Sequence, residues 1–125
     1  MTGTEYKNLA MRTNDCRSFH RMMKFASNED ENIDTGSLLN GVLGLTGEAG
    51  EVSDLVKKYV FHEKEVDKEH LKKELGDVMW YIAMICSACN FDLDEIMQMN
   101  IDKLKARYPE GFDTDIANNR NEGDI

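Results

Sequence analysis

The sequence predicts an all-α protein, and two observations carry that prediction. The chain of 125 residues contains a single proline, Pro109, and no long stretch alternates apolar and polar residues as a strand would. Apolar residues instead recur at intervals of three and four, the spacing of a helix face, over four segments. This length suits one domain. We therefore expect a four-helix-type bundle over residues 1–112 and a polar, mobile tail over residues 113–125.

The four helices are expected in the following order. The first covers residues 4–26, because no helix breaker interrupts its apolar positions. An acidic, turn-forming connector separates it from the second helix, which should begin near Ser37, a favourable N-cap residue. The third helix begins after Asp67. The fourth begins near Asp92 and stops at Pro109, which has no backbone N–H to donate.

Charge and composition narrow the function. The 24 acidic and 15 basic residues give a net charge of −9, which argues against binding to the backbone of DNA or RNA. The longest apolar run, nine residues from Val78 to Cys86, is shorter than the ~20 that span a bilayer. The amino terminus resembles no secretory signal, and three cysteines favour a reducing compartment. We expect a cytoplasmic protein that binds neither nucleic acid nor membrane.

Two acidic pairs on neighbouring helices are the main functional signal. Glu48 and Glu51 on the second helix, and Glu74 and Asp77 on the third, are each spaced i, i+3, so each pair projects from one side of a helix. At about 100° per residue, both pairs lie at the same offset from their apolar stripes. If a short connector makes the helices antiparallel, both pairs open onto one groove at the same level.

Four carboxylates at one point require neutralising cations, because like charges in proximity repel one another. All-oxygen ligands favour Mg²⁺, with Mn²⁺ as a possible substitute, over zinc. A ferritin-like di-iron site is disfavoured, since it needs Glu-x-x-His on two helices and neither pair contains histidine. The remaining alternative is that these acids are only solvated. His70 lies one turn before Glu74, but surface histidines near loops are common, and it is not assigned to the site.

The fourth helix carries a polar face that could hold phosphate. Asn100, Lys103 and Arg107 follow i, i+3, i+7 spacing, and two cations with an amide suit a polyphosphate. A solvated basic face at a helix C-terminus, where it favours the helix dipole, explains the same residues equally well.

These motifs together resemble a known family. Glu48-x-x-Glu51, Glu74-x-x-Asp77 with Tyr81, and Asn-x-x-Lys-Leu-x-x-Arg-Tyr-Pro-x-Gly-Phe from Asn100 to Phe112 are similar to the MazG-like all-α nucleoside triphosphate pyrophosphohydrolases. The resemblance implies Mg²⁺-dependent hydrolysis of (deoxy)nucleoside triphosphates to the monophosphate and pyrophosphate, in sanitation of the nucleotide pool. It also implies a homodimer or homotetramer.

The resemblance further assigns roles to individual residues. Glu48, Glu51, Glu74 and Asp77 would be the catalytic metal ligands. The substrate-binding residues that it implies are Lys58, Tyr81, Asn100, Lys103 and Arg107. Gly47 stands where some branches of the family place an additional acid, so the general base must come from the four acids, without an indication of which one.

Two further features bear on the interpretation. Glycines recur every three residues from Gly41 to Gly50, which favours either close helix packing or room for a nucleotide. Trp80, Ala83 and Met84 face away from the apolar stripe of the third helix, which implies contact between subunits. A noncatalytic helical oligomerisation module, with its acids serving solubility, is therefore the alternative function.

Overall fold

The computed structural model describes residues 1–27 and 32–119. Within these residues every regular element is helical, which confirms the predicted all-α class. The elements in chain order are α1 (Gly3–Ala10), a 3-10 turn (Met11–Thr13), α2 (Ser18–Ala26), α3 (Thr35–Phe61), α4 (Lys68–Ala88), α5 (Leu93–Arg107) and α6 (Thr114–Asn118).

The expectation of one helix over residues 4–26 was wrong, because side chains between α1 and α2 compete for the backbone. Asn14 Oδ1 accepts the N–H of Cys16 at 3.0 Å, and Asp15 Oδ1 accepts that of Arg17 at 3.1 Å. Short polar side chains offer the backbone such turns in place of helical hydrogen bonds. Cys16 adopts a left-handed φ of 57°, and Asp15 forms an ion pair with Arg21 across the break.

N-cap side chains define where α3 and α4 begin. Asp34, rather than Ser37, caps α3: its carboxylate accepts the backbone N–H of Ser37 at 3.0 Å and the hydroxyl of Ser37 at 2.6 Å. Asp67 caps α4 by accepting the N–H of His70 at 2.9 Å, in agreement with the predicted start. Residues 28–31 of the acidic connector before α3 lie outside the described residues.

The helices α3 and α4 form an antiparallel hairpin, which is the main packing contact of the first compact unit, Met1–Cys89. At the end opposite the connector, the N–H of Asp34 donates to the carbonyl oxygen of Ala88 at 2.8 Å. Next along the hairpin, a side chain added at Gly41 would lie 2.8 Å from Ile85 Cγ1, and one at Gly44 would overlap the ring of Tyr81. The absence of side chains at these glycines lets the helices approach closely, so close packing explains both positions.

Few side chains are withdrawn from solvent in the single chain. Among the described residues only Gly41, Cys86 and Ala88 are buried. Large apolar side chains on α4 remain outside the hairpin contact, with Met79 67% and Trp80 56% exposed. The apolar surface of α4 is therefore only partly covered by its own chain.

The second compact unit begins at Asn90. Its main helix, α5, is capped by Asp92, whose carboxylate accepts the N–H of Asp94 at 2.9 Å, and ends at Arg107, two residues before Pro109. The short helix α6 begins at Thr114, is capped by Asp113, and lies within the segment expected to be mobile. Residues 120–125 of that segment lie outside the described part of the chain. No helix of the described residues is sufficiently long and apolar to cross a membrane.

The glycines of α3 provide a test of the hairpin contact. Gly44→Ala should lower the free energy of unfolding by about 1–3 kcal/mol, because the new methyl group overlaps Tyr81. Gly47→Ala is the matched control, since its side chain would meet no atom within 4 Å and alanine favours the helix by up to about 1 kcal/mol. Urea denaturation of both variants measures the difference, and equal stabilities would contradict this packing.

Candidate metal and phosphate site

Three carboxylates from α3 and α4 converge on one side of the hairpin. The oxygen atoms of Glu48, Glu74 and Asp77 can be chosen so that all lie within 4.8 Å of one another. Glu48 follows Gly44 by one turn on α3, and Asp77 precedes Tyr81 by one turn on α4, so the contact between Gly44 and Tyr81 places these two acids opposite each other. Glu74 lies one further turn along α4.

Partial burial and electrostatic repulsion both act on the carboxyl group of Glu48. Partial withdrawal from water raises the pKa of the Glu48 carboxyl, and the negative charges of Asp77, Glu74 and Glu51 raise it further, in that order. Each of these causes disfavours the ionised carboxylate. A cation between the acids would remove the electrostatic part of this penalty.

Glu51, the fourth predicted acid, is not among the three converging carboxylates. It lies on α3 one turn beyond Glu48, at the level of Glu74, and its side chain is exposed. Its charge nevertheless contributes to the raised pKa of Glu48. The geometric expectation from sequence, that both acidic pairs open onto the same side, therefore holds closely for three of the four acids.

Glu74 has a partner that sequence analysis left out of the site. His70 Nε2 lies 2.7 Å from Glu74 Oε1, one turn away on the same helix. The side chain of Glu74 is only 16% exposed, whereas that of His70 is 50% exposed. The i, i+4 spacing of the two residues was visible in the sequence, but nothing there distinguished this histidine from one pointing into solvent.

Lys58 and Tyr81, two of the predicted substrate-binding residues, lie on the hairpin itself. Lys58 Nζ forms an ion pair with Asp54 Oδ2 at 2.5 Å. The hydrogen bond that Lys58 donates to Asp54, and the negative charge of Asp54, raise the pKa of Lys58, and the charge of Glu51 makes a smaller contribution. Tyr81 is half-buried against Gly44, and its ring meets that of Trp80 edge-on at a centroid distance of 4.9 Å.

The other three predicted substrate-binding residues belong to the second compact unit. Asn100, Lys103 and Arg107 lie on one face of α5, as their spacing requires. Asn100 and Lys103 line a shallow pocket together with Ile96 and Met99. An amide and an ammonium group beside apolar side chains can bind a ligand that is partly anionic and partly apolar.

Comparisons with known proteins identify the family of the chain. Residues 37–112 match the family model described as the MazG nucleotide pyrophosphohydrolase domain. The chain is also 37% identical over 82 residues to the Gene 37 protein of Mycobacterium phage L5, an alignment that covers 62% of this chain and 72% of the phage protein. No solved structure matches the chain significantly.

The family match spans the whole α3–α4 hairpin except its first two residues, together with all of α5. It therefore includes the three converging carboxylates and the polar face of α5. The chain belongs to the MazG nucleotide pyrophosphohydrolase family.

Proposed function

We propose that this protein hydrolyses (deoxy)nucleoside triphosphates to the nucleoside monophosphate and pyrophosphate in a Mg²⁺-dependent reaction, and so clears unwanted nucleotides from the cytoplasmic pool. The observation that carries the proposal is the convergence of Glu48, Glu74 and Asp77 within 4.8 Å in a chain of this family. A nucleotide carries phosphate oxygens that divalent cations bind.

The residues of the hairpin fit a hard divalent cation. The converging atoms are all carboxylate oxygens, which Mg²⁺ and Mn²⁺ prefer, and the repulsion that raises the pKa of Glu48 falls when positive charge is placed between them. We propose Glu48, Glu74 and Asp77 as ligands, with Glu51 completing the acidic set from the adjacent turn of α3. Mn²⁺ can substitute for Mg²⁺ at such a site.

The chain's own groups divide the chemical work between them. When bound, Mg²⁺ supplies positive charge that polarises phosphate oxygens and makes an attacking water more acidic. The carboxylates hold that charge in place, and one of them accepts the proton of the attacking water. The water oxygen would bond to the α-phosphorus while the bond from the α-phosphorus to the oxygen that bridges it to the β-phosphorus breaks, and this bridging oxygen leaves with pyrophosphate.

We propose phosphate-binding groups in each compact unit separately. On the hairpin this is Lys58, and on α5 they are Asn100, Lys103 and Arg107, because ammonium, guanidinium and amide groups donate hydrogen bonds to phosphate oxygens. Tyr81 borders the acids from the position of the Gly44 contact, where its ring can lie against the nucleoside.

Exposed apolar surface on α4 supports a homodimer or homotetramer. Trp80, Ala83 and Met84 line a groove that also includes Ser37 and Ser87. Trp80 is 56% exposed in the single chain, and an apolar patch of this kind is typical of a surface that another subunit covers. A second copy of the chain is the occupant we propose.

Loss of one converging carboxylate should abolish turnover. Asp77→Asn removes a negative charge at nearly constant volume, and we expect kcat/KM for nucleoside triphosphates to fall on the order of a hundredfold or more. Glu69→Gln is the control, because Glu69 lies on the same helix but pairs with Lys72 in solvent. A panel of canonical and modified nucleoside triphosphates with Mg²⁺, assayed separately for pyrophosphate and orthophosphate, measures the effect.

Full activity in Asp77→Asn would contradict the metal site. Orthophosphate release without pyrophosphate would contradict the proposed bond. A wild-type protein without activity on any member of the panel would instead favour a noncatalytic interaction module.

The raised pKa of Glu48 predicts a stability that depends on pH and on metal. Because its pKa is raised on folding, ionised Glu48 destabilises the metal-free fold at pH 7, and this penalty disappears as pH falls through that pKa. Without divalent ions, the Glu48→Gln variant should therefore have a higher melting temperature than the wild type at pH 7. The difference between the two melting temperatures should become smaller as the pH is lowered.

Added Mg²⁺ should give the wild type the higher melting temperature at pH 7, because the ion stabilises the wild type more than the variant. Calorimetry with EDTA or with Mg²⁺ measures both effects, with Glu69→Gln as the control. A wild-type melting temperature that does not respond to Mg²⁺ or Mn²⁺ would refute the cation site.

The oligomer has its own test. We expect the wild-type chain, with a protomer mass of 14.3 kDa, to have two or four times that mass in light scattering after gel filtration. Trp80→Asp should shift the protein towards the monomer by placing a charge in the proposed contact. Lys72→Ala, at an exposed position of the same helix, should leave the mass unchanged. A monomeric wild type would exclude this contact.

A further inference from the structure

We infer that His70 is a positioning residue of this site: its imidazole holds one oxygen of Glu74 and leaves the other available to a divalent cation. The inference rests on the proposed metal-dependent function. It adds a residue that orients a metal ligand without itself binding the metal.

The contact between the two side chains is direct. His70 Nε2 lies 2.7 Å from Glu74 Oε1, and in the tautomer that carries its proton on Nε2 the imidazole donates a hydrogen bond to this carboxylate oxygen. Residues spaced i, i+4 lie on the same helix face, one above the other. His70 therefore stands on the side of Glu74 that faces the start of α4, and Asp77 lies one turn away on the opposite side.

The histidine is itself held in place by the start of α4. Its backbone N–H donates to Asp67 Oδ1 at 2.9 Å, which fixes it in the first turn of the helix. The imidazole thus extends from a capped turn rather than from a loop. Such an anchor suits a group whose role is to orient another side chain.

The environment of Glu74 distinguishes this pair from an ordinary surface pair. Glu74 is 16% exposed and converges with two other acids, whereas Glu69, which pairs with Lys72 at 2.7 Å on the same helix, is 77% exposed. A hydrogen bond to Glu74 both offsets the repulsion from Glu48 and Asp77 and restricts its rotamers. The hydrogen bond from Lys72 to Glu69 restrains a side chain that is not one of the three converging acids.

Loss of a hydrogen-bond partner behind a metal ligand typically costs 10- to 100-fold in metal affinity. His70 is half-exposed, so water can replace part of its contribution, and we expect the lower end of that range. His70→Ala should therefore weaken Mn²⁺ binding about tenfold. His70→Gln keeps an N–H donor at similar reach and should restore affinity close to that of the wild type.

The experiment measures Mn²⁺ affinity by electron paramagnetic resonance titration, without substrate, on the full chain. The variants are His70→Ala, His70→Gln, Glu74→Gln, and His70→Ala combined with Glu74→Gln; Lys72→Ala is the matched control from the exposed pair. Circular dichroism checks that each is folded. Because His70 acts through Glu74, its replacement should have no further effect once Glu74 is changed.

Each departure from this pattern has a defined meaning. Wild-type affinity in His70→Ala would overturn the positioning role and leave the proposed function intact. An equal additional loss in the Glu74→Gln background would also overturn it, because His70 would then act independently of Glu74.

A nitrogen directly coupled to Mn²⁺ in spin-echo spectra would make His70 a ligand instead, which overturns the inference in another way. If the wild type itself binds no Mn²⁺, the proposed function fails together with this inference, and the wild-type titration alone identifies that case.

Discussion

The close approach of α3 and α4 at Gly41 and Gly44 is the constraint on which the candidate site depends. A side chain at either glycine would collide with Ile85 or Tyr81, so these positions set both the distance between the helices and their register. With the register fixed there, one turn along each helix leads to Glu48 on one side and Asp77 on the other. The arrangement of the acids is therefore a consequence of packing elsewhere in the hairpin, which lets the acids themselves repel one another without separating the helices.

The parts of the fold that follow from periodicity were predictable. The long helices α3, α4 and α5 have regular apolar spacing, and Pro109 stops the last of them for a reason visible in any sequence. The antiparallel hairpin follows from a short connector, and this brings Glu48 to Glu74 and Asp77. Local hydrogen bonds between side chains and the backbone were harder to predict from the sequence. The break between α1 and α2 depends on Asn14 and Asp15 accepting backbone N–H groups, which their residue types permit without requiring.

For the site, too, the residue spacing predicted the helix faces but not the side-chain contacts. Spacing placed four acids on one side of two helices, yet it did not indicate that Glu48, Glu74 and Asp77 would converge and that Glu51 would lie outside this group. Spacing likewise placed His70 one turn from Glu74, but the 2.7 Å separation of His70 Nε2 from Glu74 Oε1 depends on side-chain torsions that spacing does not determine. A helical wheel gives directions to within about a quarter turn, which is coarser than a hydrogen bond. Under the proposed function, the net charge of −9 does not prevent phosphate binding, because a cation held by the acids would attract a phosphate that the chain as a whole would repel.

The connector of the hairpin and the segment beside its glycine contact differ in the insertions that they tolerate. The segment between Phe61 and Lys68 is a connector without regular structure, so changes of its length leave the relation of the helices intact. By contrast, one residue inserted between Gly44 and Glu48 would rotate the carboxylate by about 100° about the helix axis and move it by about 1.5 Å along it. Insertions and deletions in this hairpin should therefore be tolerated in the connector. The four-residue intervals from Gly44 to Glu48 and from Asp77 to Tyr81 should keep a constant length, because they set the positions of the acids.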